Sequence, residues 1–170
     1  MRALIIGRFQ PFHKGHLKVI KEVSDEHEVI IGIGSAQHSH TLDNPFTAGE
    51  RYEMIHAALT NEGIKQFHII PIEDLNRYPL WVSHVESLVP RFDLVITSNY
   101  LTKMLFECRG YEVKTVPLYD REKFSGKEIR RRMIEGKRWK HLVPKDVVAF
   151  ITRIEGERRL RELKECNKDD

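Results

Sequence analysis

Two cysteines, Cys108 and Cys166, are the only thiols in 170 residues, and neither has a CxxC or Cys/His partner nearby. A disulfide framework and a structural zinc site are therefore not expected, and a reducing, cytoplasmic setting is. Long apolar runs are also missing. The first, Ala3-Leu4-Ile5-Ile6, stops at Gly7-Arg8, too short for a secretion signal and far too short to cross a bilayer. No membrane partner is expected. Charge of one sign is scarce as well: 28 Lys and Arg against 25 Asp and Glu leave a net charge of +3. That balance suits a small anionic ligand rather than nucleic acid. The basic stretch Lys127, Arg130, Arg131, Arg132, Lys137 and Arg138 lacks the interleaved aromatics that stack on bases. Neither common glycine-rich nucleotide loop is present, since no GxxxxGK[S/T] occurs and no GxGxxG follows the first apolar run.

What is there reads as a single domain over 1–170. Hydrophobic residues make up 41% and charged residues 31%, a balance that folds without staples. Short apolar runs recur at Ala3–Ile6, Val29–Ile33, Phe67–Ile72, Leu94–Thr97 and Val113–Val116. Each is of the type buried on both faces. Between them, Gly15–Val23, Ala48–Leu59, Leu80–Val89 and Leu101–Cys108 carry apolar residues at helical spacing. Strand–helix alternation of this kind predicts an α/β fold: a Rossmann-like, doubly wound parallel sheet of about five strands. After the fifth strand the pattern predicts a polar loop, then C-terminal helices from about Ser125 and over Lys145–Ile154. The charged tail, 155–170, reads equally as a last helix or a frayed end. Thr47-Ala48-Gly49-Glu50 and Ser125-Gly126-Lys127-Glu128 both match the S/T-x-x-E capping box.

The chemistry concentrates in Gly7-Arg8-Phe9-Gln10-Pro11-Phe12-His13-Lys14-Gly15-His16. In a doubly wound sheet the ligand crevice lies at the carboxyl ends of the strands, which is where this segment falls. A helix start near Gly15 offers unpaired amides and the positive end of a dipole. His13 and His16 can donate to phosphate oxygens, Arg8 can bind two oxygens at once, and Gly15 permits close approach of backbone.

These residues resemble the HxGH nucleotidyltransferase superfamily, whose second mark, SxTxxR, appears here as Ser125-Gly126-Lys127-Glu128-Ile129-Arg130. Ile33-Gly34-Ser35-Ala36-Gln37, Pro45-Phe46-Thr47-Ala48-Gly49-Glu50-Arg51 and Leu80-Trp81-Val82 extend the likeness over nearly the whole chain. They narrow it to the archaeal type of nicotinamide-mononucleotide (NMN) adenylyltransferase. The resemblance implies a reaction of NAD biosynthesis that joins ATP and NMN to give NAD and pyrophosphate. It places His13 and His16 on the transferring α-phosphate and the bridging oxygen, and Arg8 and Arg130 on the β- and γ-phosphates. Gly7, Phe9, Gly15, Ser125, Lys127 and Asn99 would line the nucleotide site. Trp81, Asp74 and Arg51 would serve the acceptor, with Trp81 stacked on the nicotinamide ring. Mg²⁺ would arrive with ATP rather than in a protein cage. A homo-oligomer, a hexamer among the options, is also implied. One departure stands out: Lys127 occupies the usual threonine position of SxTxxR, a point charge in place of a hydroxyl.

Plainer roles compete for several of these residues. Trp81 fits a core aromatic, Asp74 a strand-end turn, Asn99 and Ser125 helix caps, and Arg51 a structural ion pair. Arg131 and Arg132 fit a solvated basic face, and His38 and His40 a solvated loop. At the level of function, the first loop reads only the triphosphate. FMN, phosphopantetheine or a cytidylyltransferase acceptor therefore remains open, as does a non-catalytic nucleotide sensor.

Overall fold

The computed structural model describes residues 1–116 and 122–167, so much of the expected polar loop after the fifth strand, and the last three residues of the tail, lie outside the described residues. Five strands form one parallel sheet: β1 (Arg2–Gly7), β2 (Glu28–Ile33), β3 (Phe67–Pro71), β4 (Leu94–Ile96) and β5 (Glu112–Lys114). Their order is β3-β2-β1-β4-β5. Every pairing is parallel, with β1 set between β2 and β4. The helices are α1 (Lys14–Ser24), α2 (Ala48–Asn61), α3 (Tyr78–Leu88), α4 (Tyr100–Cys108), α5 (Gly126–Ile134), α6 (Lys145–Arg153) and α7 (Gly156–Cys166).

The period of two along a strand divides the core. Ala3, Ile5, Val29, Ile31, Ile33, Leu94 and Ile96 face one side, against Leu17 and Ile20 of α1, Met54 and Ile55 of α2, and Ile129, Val147 and Leu160 of α5, α6 and α7. Leu4, Ile30 and Val95 face the other side, against Val82 and Val85 of α3 and Phe106 of α4. Both faces are covered, which is why the central strands read as continuous apolar runs. The edges differ. In β5 only Val113 packs, and Glu112 and Lys114 are exposed. The expected fifth buried strand is a short, charged edge strand.

Helix starts follow local chemistry. Thr47 and Glu50 form the full reciprocal box at α2, at 3.1 and 2.9 Å. At α5 only half of the expected box forms. Ser125 accepts from the Glu128 amide at 3.2 Å, but the Glu128 carboxylate turns to Arg131 and Arg132. Hydrogen bonds from those two arginines hold that carboxyl at about 2. Arg131 and Arg132 are thus answered locally, by Glu128 within α5 and by Glu135 at its C-cap. The charged tail resolves into α7, anchored by fully buried Leu160 and by Arg159, which grips both oxygens of Glu50 at 2.7 and 2.8 Å.

Candidate active site

The chain winds outward from β1 in both directions, through β2 to β3 and then through β4 to β5, so the switch point lies between β1 and β4. At their carboxyl ends opens a cavity of about 290 Å³. Its walls are Gly7 and Phe9 after β1, Thr97, Ser98 and Asn99 after β4, His13, Gly15 and His16 at the start of α1, and Phe124, Ser125 and Gly126 at the start of α5. Three helix N-termini, those of α1, α4 and α5, therefore converge on one hollow, a setting made for an anion. A larger cleft of about 520 Å³ lies at the opposite, amino end of the sheet. Its charges are partly self-neutralised, with Arg2 and His68 both on Glu28 at 2.9 and 2.6 Å, and it holds none of the candidate residues.

His13 and His16 do more than present two rings. His13 Nδ1 accepts from the His16 amide at 3.3 Å, and His16 Nδ1 accepts from the His13 amide at 3.2 Å. The pair is a reciprocal capping box built from imidazoles, closing the first turn of α1. Because each Nδ1 is an acceptor, the proton of each neutral ring belongs on Nε2. The rings stack with centroids 3.5 Å apart. Burial pushes the His13 pKa down to about 4. His16 falls well below its ordinary value through burial and then through repulsion from His13. Both are neutral N–H donors at physiological pH.

The backbone beneath them is shaped to match. Phe9 is buried with φ 52°, a left-handed conformation that costs about 1–3 kcal/mol in a non-glycine residue. It places the Phe9 ring edge-on to His16, with centroids 4.8 Å apart, and over Gly7, where a Cβ would come within 2.9 Å of that ring. A Cβ on Gly15 would meet the His13 ring at 3.1 Å.

Residues 4–132 match the model of the cytidylyltransferase-like family. A nicotinamide-nucleotide adenylyltransferase of Picrophilus torridus is 53% identical over 169 residues, covering 99% of this chain and 100% of the relative. Its counterpart in Methanococcus aeolicus is 55% identical over 164 residues, covering 96% and 95%. The chain belongs to this adenylyltransferase family. Among solved structures, it is similar to the Francisella tularensis bifunctional NMN adenylyltransferase/ADP ribose pyrophosphatase, complexed with AMP and a manganese ion. The TM-score is 0.77 at 25% identity, covering 95% of this chain and 52% of that longer one.

Seven of the sequence-predicted residues of this family member line one cavity: Gly7, Phe9, His13, Gly15, His16, Asn99 and Ser125. Asn99 and Ser125 hold both of their anticipated positions, capping α4 and α5 while facing the hollow. Arg51 requires a correction. It is fully buried, and it donates to the carbonyls of Thr47, Arg8, Gly34 and Ser35 at 3.2, 2.9, 2.8 and 3.1 Å. A guanidinium enclosed by four carbonyls has no face left for an acceptor, so Arg51 is a strut that clasps the ends of β1 and β2. Nor is it a structural ion pair, since its partners are backbone. Burial, reinforced by the nearby charge of Arg8, brings its pKa down to about 10.

Arg130 is also buried. Its Nε donates to Leu42 O at 2.9 Å, Nη1 to Gln10 O at 2.8 Å and Nη2 to Asp43 at 3.3 Å. Arg8 is exposed and reaches Asn44 Oδ1 at 3.4 Å. Lys127 stands outside the histidine hollow, in a groove with Asp43, Arg130 and Lys164. Trp81 and Asp74 do not line the hollow either. Trp81 is half-buried, edge-on to Phe106 at 5.7 Å. The Asp74 backbone pairs with the Gln37 side chain in both directions, at 3.2 and 3.0 Å. His38 is exposed, as a solvated loop residue would be, and lies 3.8 Å from the Asp74 carboxylate.

Besides Thr97, Ser98 and Phe124 in the wall of the hollow, two residues that shape the site escaped the sequence reading. Gln10, buried, pairs both ways with the Phe46 backbone at 2.9 Å and ties the first loop to the segment before α2. Gly126 lets α5 dock, since a Cβ there would lie 2.8 Å from Gln10 O and 3.0 Å from Arg130 Nη1. A glycine inside a capping-box motif was the available signal for the second. Among the described residues, no cluster of three His, Cys, Asp or Glu side chains is placed to hold a metal ion, and no helix is long and apolar enough to cross a membrane.

Proposed function

We infer that the chain transfers the adenylyl group of ATP to nicotinamide mononucleotide, giving NAD and pyrophosphate. The observation that carries this reading is the neutral His13–His16 pair in a crevice formed by three helix N-termini, in a chain more than half identical over nearly its full length to named adenylyltransferases. The attacking phosphate of NMN is already largely ionised near neutral pH, its second pKa being about 6. No general base is needed, and the task is positioning and charge stabilisation. Nε2–H of His13 and His16 donate to the α-phosphate and the bridging oxygen. Ser125 Oγ accepts from the Glu128 amide, which leaves its own proton free for a phosphate oxygen. Arg8 and the outer edge of Arg130 take the β- and γ-phosphates, while Thr97, Ser98 and Asn99 edge the adenosine side. Mg²⁺ fits as a partner of the phosphates, supplying charge neutralisation on oxygens that the protein does not cage. Trp81 remains the candidate platform for the nicotinamide ring, together with Asp74.

An assay with ATP, Mg²⁺ and NMN that follows both NAD and pyrophosphate tests the reading. NAD and pyrophosphate are expected in equal amounts, and turnover of FMN or phosphopantetheine without turnover of NMN would overturn it. The same reading includes a cytoplasmic homo-oligomer. Exposed Tyr78, Leu80 and Leu88 on α3, with Tyr100 and Met104 on α4, support self-association, which sedimentation measures directly.

A further inference from the structure

We propose that Asp43 sets the affinity for the nucleotide's phosphate tail by occupying, in the substrate-free protein, the outer edge of the Arg130 guanidinium that the tail would engage. This rests on the reading of Arg130 and Arg8 as ligands of the β- and γ-phosphates.

The two partners of this contact are unequal. The Arg130 side chain is 7% exposed and its plane is fixed by two backbone carbonyls, Leu42 O and Gln10 O. Asp43 is 81% exposed, and among the described residues its carboxylate is held by Arg130 Nη2 alone, at 3.3 Å. The arginine is therefore held and the carboxylate is free to leave. The neighbouring residue repeats the arrangement more weakly, with Asn44 Oδ1 accepting from Arg8 Nη1 at 3.4 Å. Consecutive residues of the loop between β2 and α2 thus cover both phosphate arginines.

The charge around Asp43 makes its sign matter. It shares a groove of about 150 Å³ with Lys127, Arg130, Arg131 and Lys164, and with one further acid, Glu135. Arg131 is answered by Glu128 and Glu135. In this cationic mouth a carboxylate competes with an incoming polyanion, first for Arg130 and then by repulsion once the tail is seated. A neutral isostere keeps the oxygen that Arg130 donates to and removes the competition.

Calorimetric titration of the substrate-free protein with Mg²⁺–ATP, without acceptor, reads the effect. Asp43→Asn is expected to bind about three- to tenfold more tightly, by an amount that shrinks with added salt. Asp43→Glu should keep the weaker wild-type affinity. The gain should vanish when Asp43→Asn is combined with Arg130→Lys, since the carboxylate acts through that arginine. A change in KM for ATP without an equal change in KM for NMN is the kinetic counterpart. Unchanged binding by Asp43→Asn overturns the proposal. Weaker binding overturns it too, and would mean that the carboxylate serves the nucleotide's Mg²⁺. If Arg130→Lys and Arg8→Gln both leave ATP affinity unaltered, it is the reading of the arginines that fails. If they weaken it while Asp43→Asn brings no gain, only the role of Asp43 falls.

Discussion

His13 and His16 carry two duties with separate atoms. Nδ1 of each closes the first turn of α1, and in the proposed function Nε2 of each is the atom left to donate to the ligand. Removing one ring therefore costs more than one donor. His16→Ala is expected to lower turnover at least about 10²-fold, the usual loss for a donor aimed at developing charge, and an unchanged kcat in a steady-state assay would rule that role out. His13→Asn separates the duties, because asparagine retains a capping acceptor but cannot titrate. The linkage has a definite sign. His13 titrates at about 4 when folded against an ordinary value of 6.5, so between those limits the unfolded chain binds the extra proton. Wild-type stability should fall as pH drops from 6.5 to 4, by at most about 3–4 kcal/mol from this residue. Urea unfolding at several pH values should show a shallower decline for His13→Asn, and parallel curves would show that His13 is not held neutral.

At the scale of elements, α5 meets the first loop through Gly126, with backbone against backbone. Gly126→Ala pits two effects against each other. A helix position gains up to about 1 kcal/mol from alanine, whereas a methyl 2.8 Å from Gln10 O forces a shift costing about 1–3 kcal/mol. The clash wins, and it displaces the loop that carries the histidines. Activity should fall by tenfold or more while the thermal midpoint drops only a few degrees, and wild-type kcat/KM for ATP would contradict close docking. These elements differ in how plainly the sequence announced them. The central strands did so through unbroken apolar runs, because both faces of β1, β2 and β4 are covered. The edge strand β5 was announced as a strand by Val113–Val116 but with the wrong character and bounds, since at Glu112–Lys114 only Val113 packs and the charged residues on either side face solvent. The HxGH mark and the Ser125 end of the SxTxxR mark pointed to the hollow, whereas Lys127 and Arg130 line the neighbouring groove. The struts stayed hidden for a physical reason: Arg51 and Gln10 are satisfied by backbone groups, which carry no residue identity for a pattern to match. In isolation, a buried arginine clasping carbonyls and an exposed arginine awaiting phosphate look the same.

Over the whole molecule, the site is assembled from segments far apart in the chain, and its rigidity depends on parts that touch no ligand. Arg159 of α7 donates to Pro45 O at 3.0 Å and grips Glu50 with both nitrogens, and Glu50 in turn caps α2 with Thr47. Pro45 and Thr47 flank Phe46, whose backbone is paired to Gln10 in the first loop. A continuous set of polar contacts thus runs from the C-terminal helix to the first loop, which carries His13 and His16. Leu160, the next residue, is fully buried and holds α7 on the core. These neighbours separate two effects. Leu160→Ala removes apolar packing alone and should cost about 2–5 kcal/mol in urea unfolding. Arg159→Ala leaves the core intact but releases a bidentate pair and a carbonyl, costing about 1–3 kcal/mol. If the polar path organises the site, Arg159→Ala should raise KM for ATP more than Leu160→Ala does, despite the smaller loss of stability. Glu50→Gln should raise it as well, and the double variant should add little to either. Additive effects in that cycle, or a KM that tracks stability alone, would show that α7 supports the core without organising the first loop.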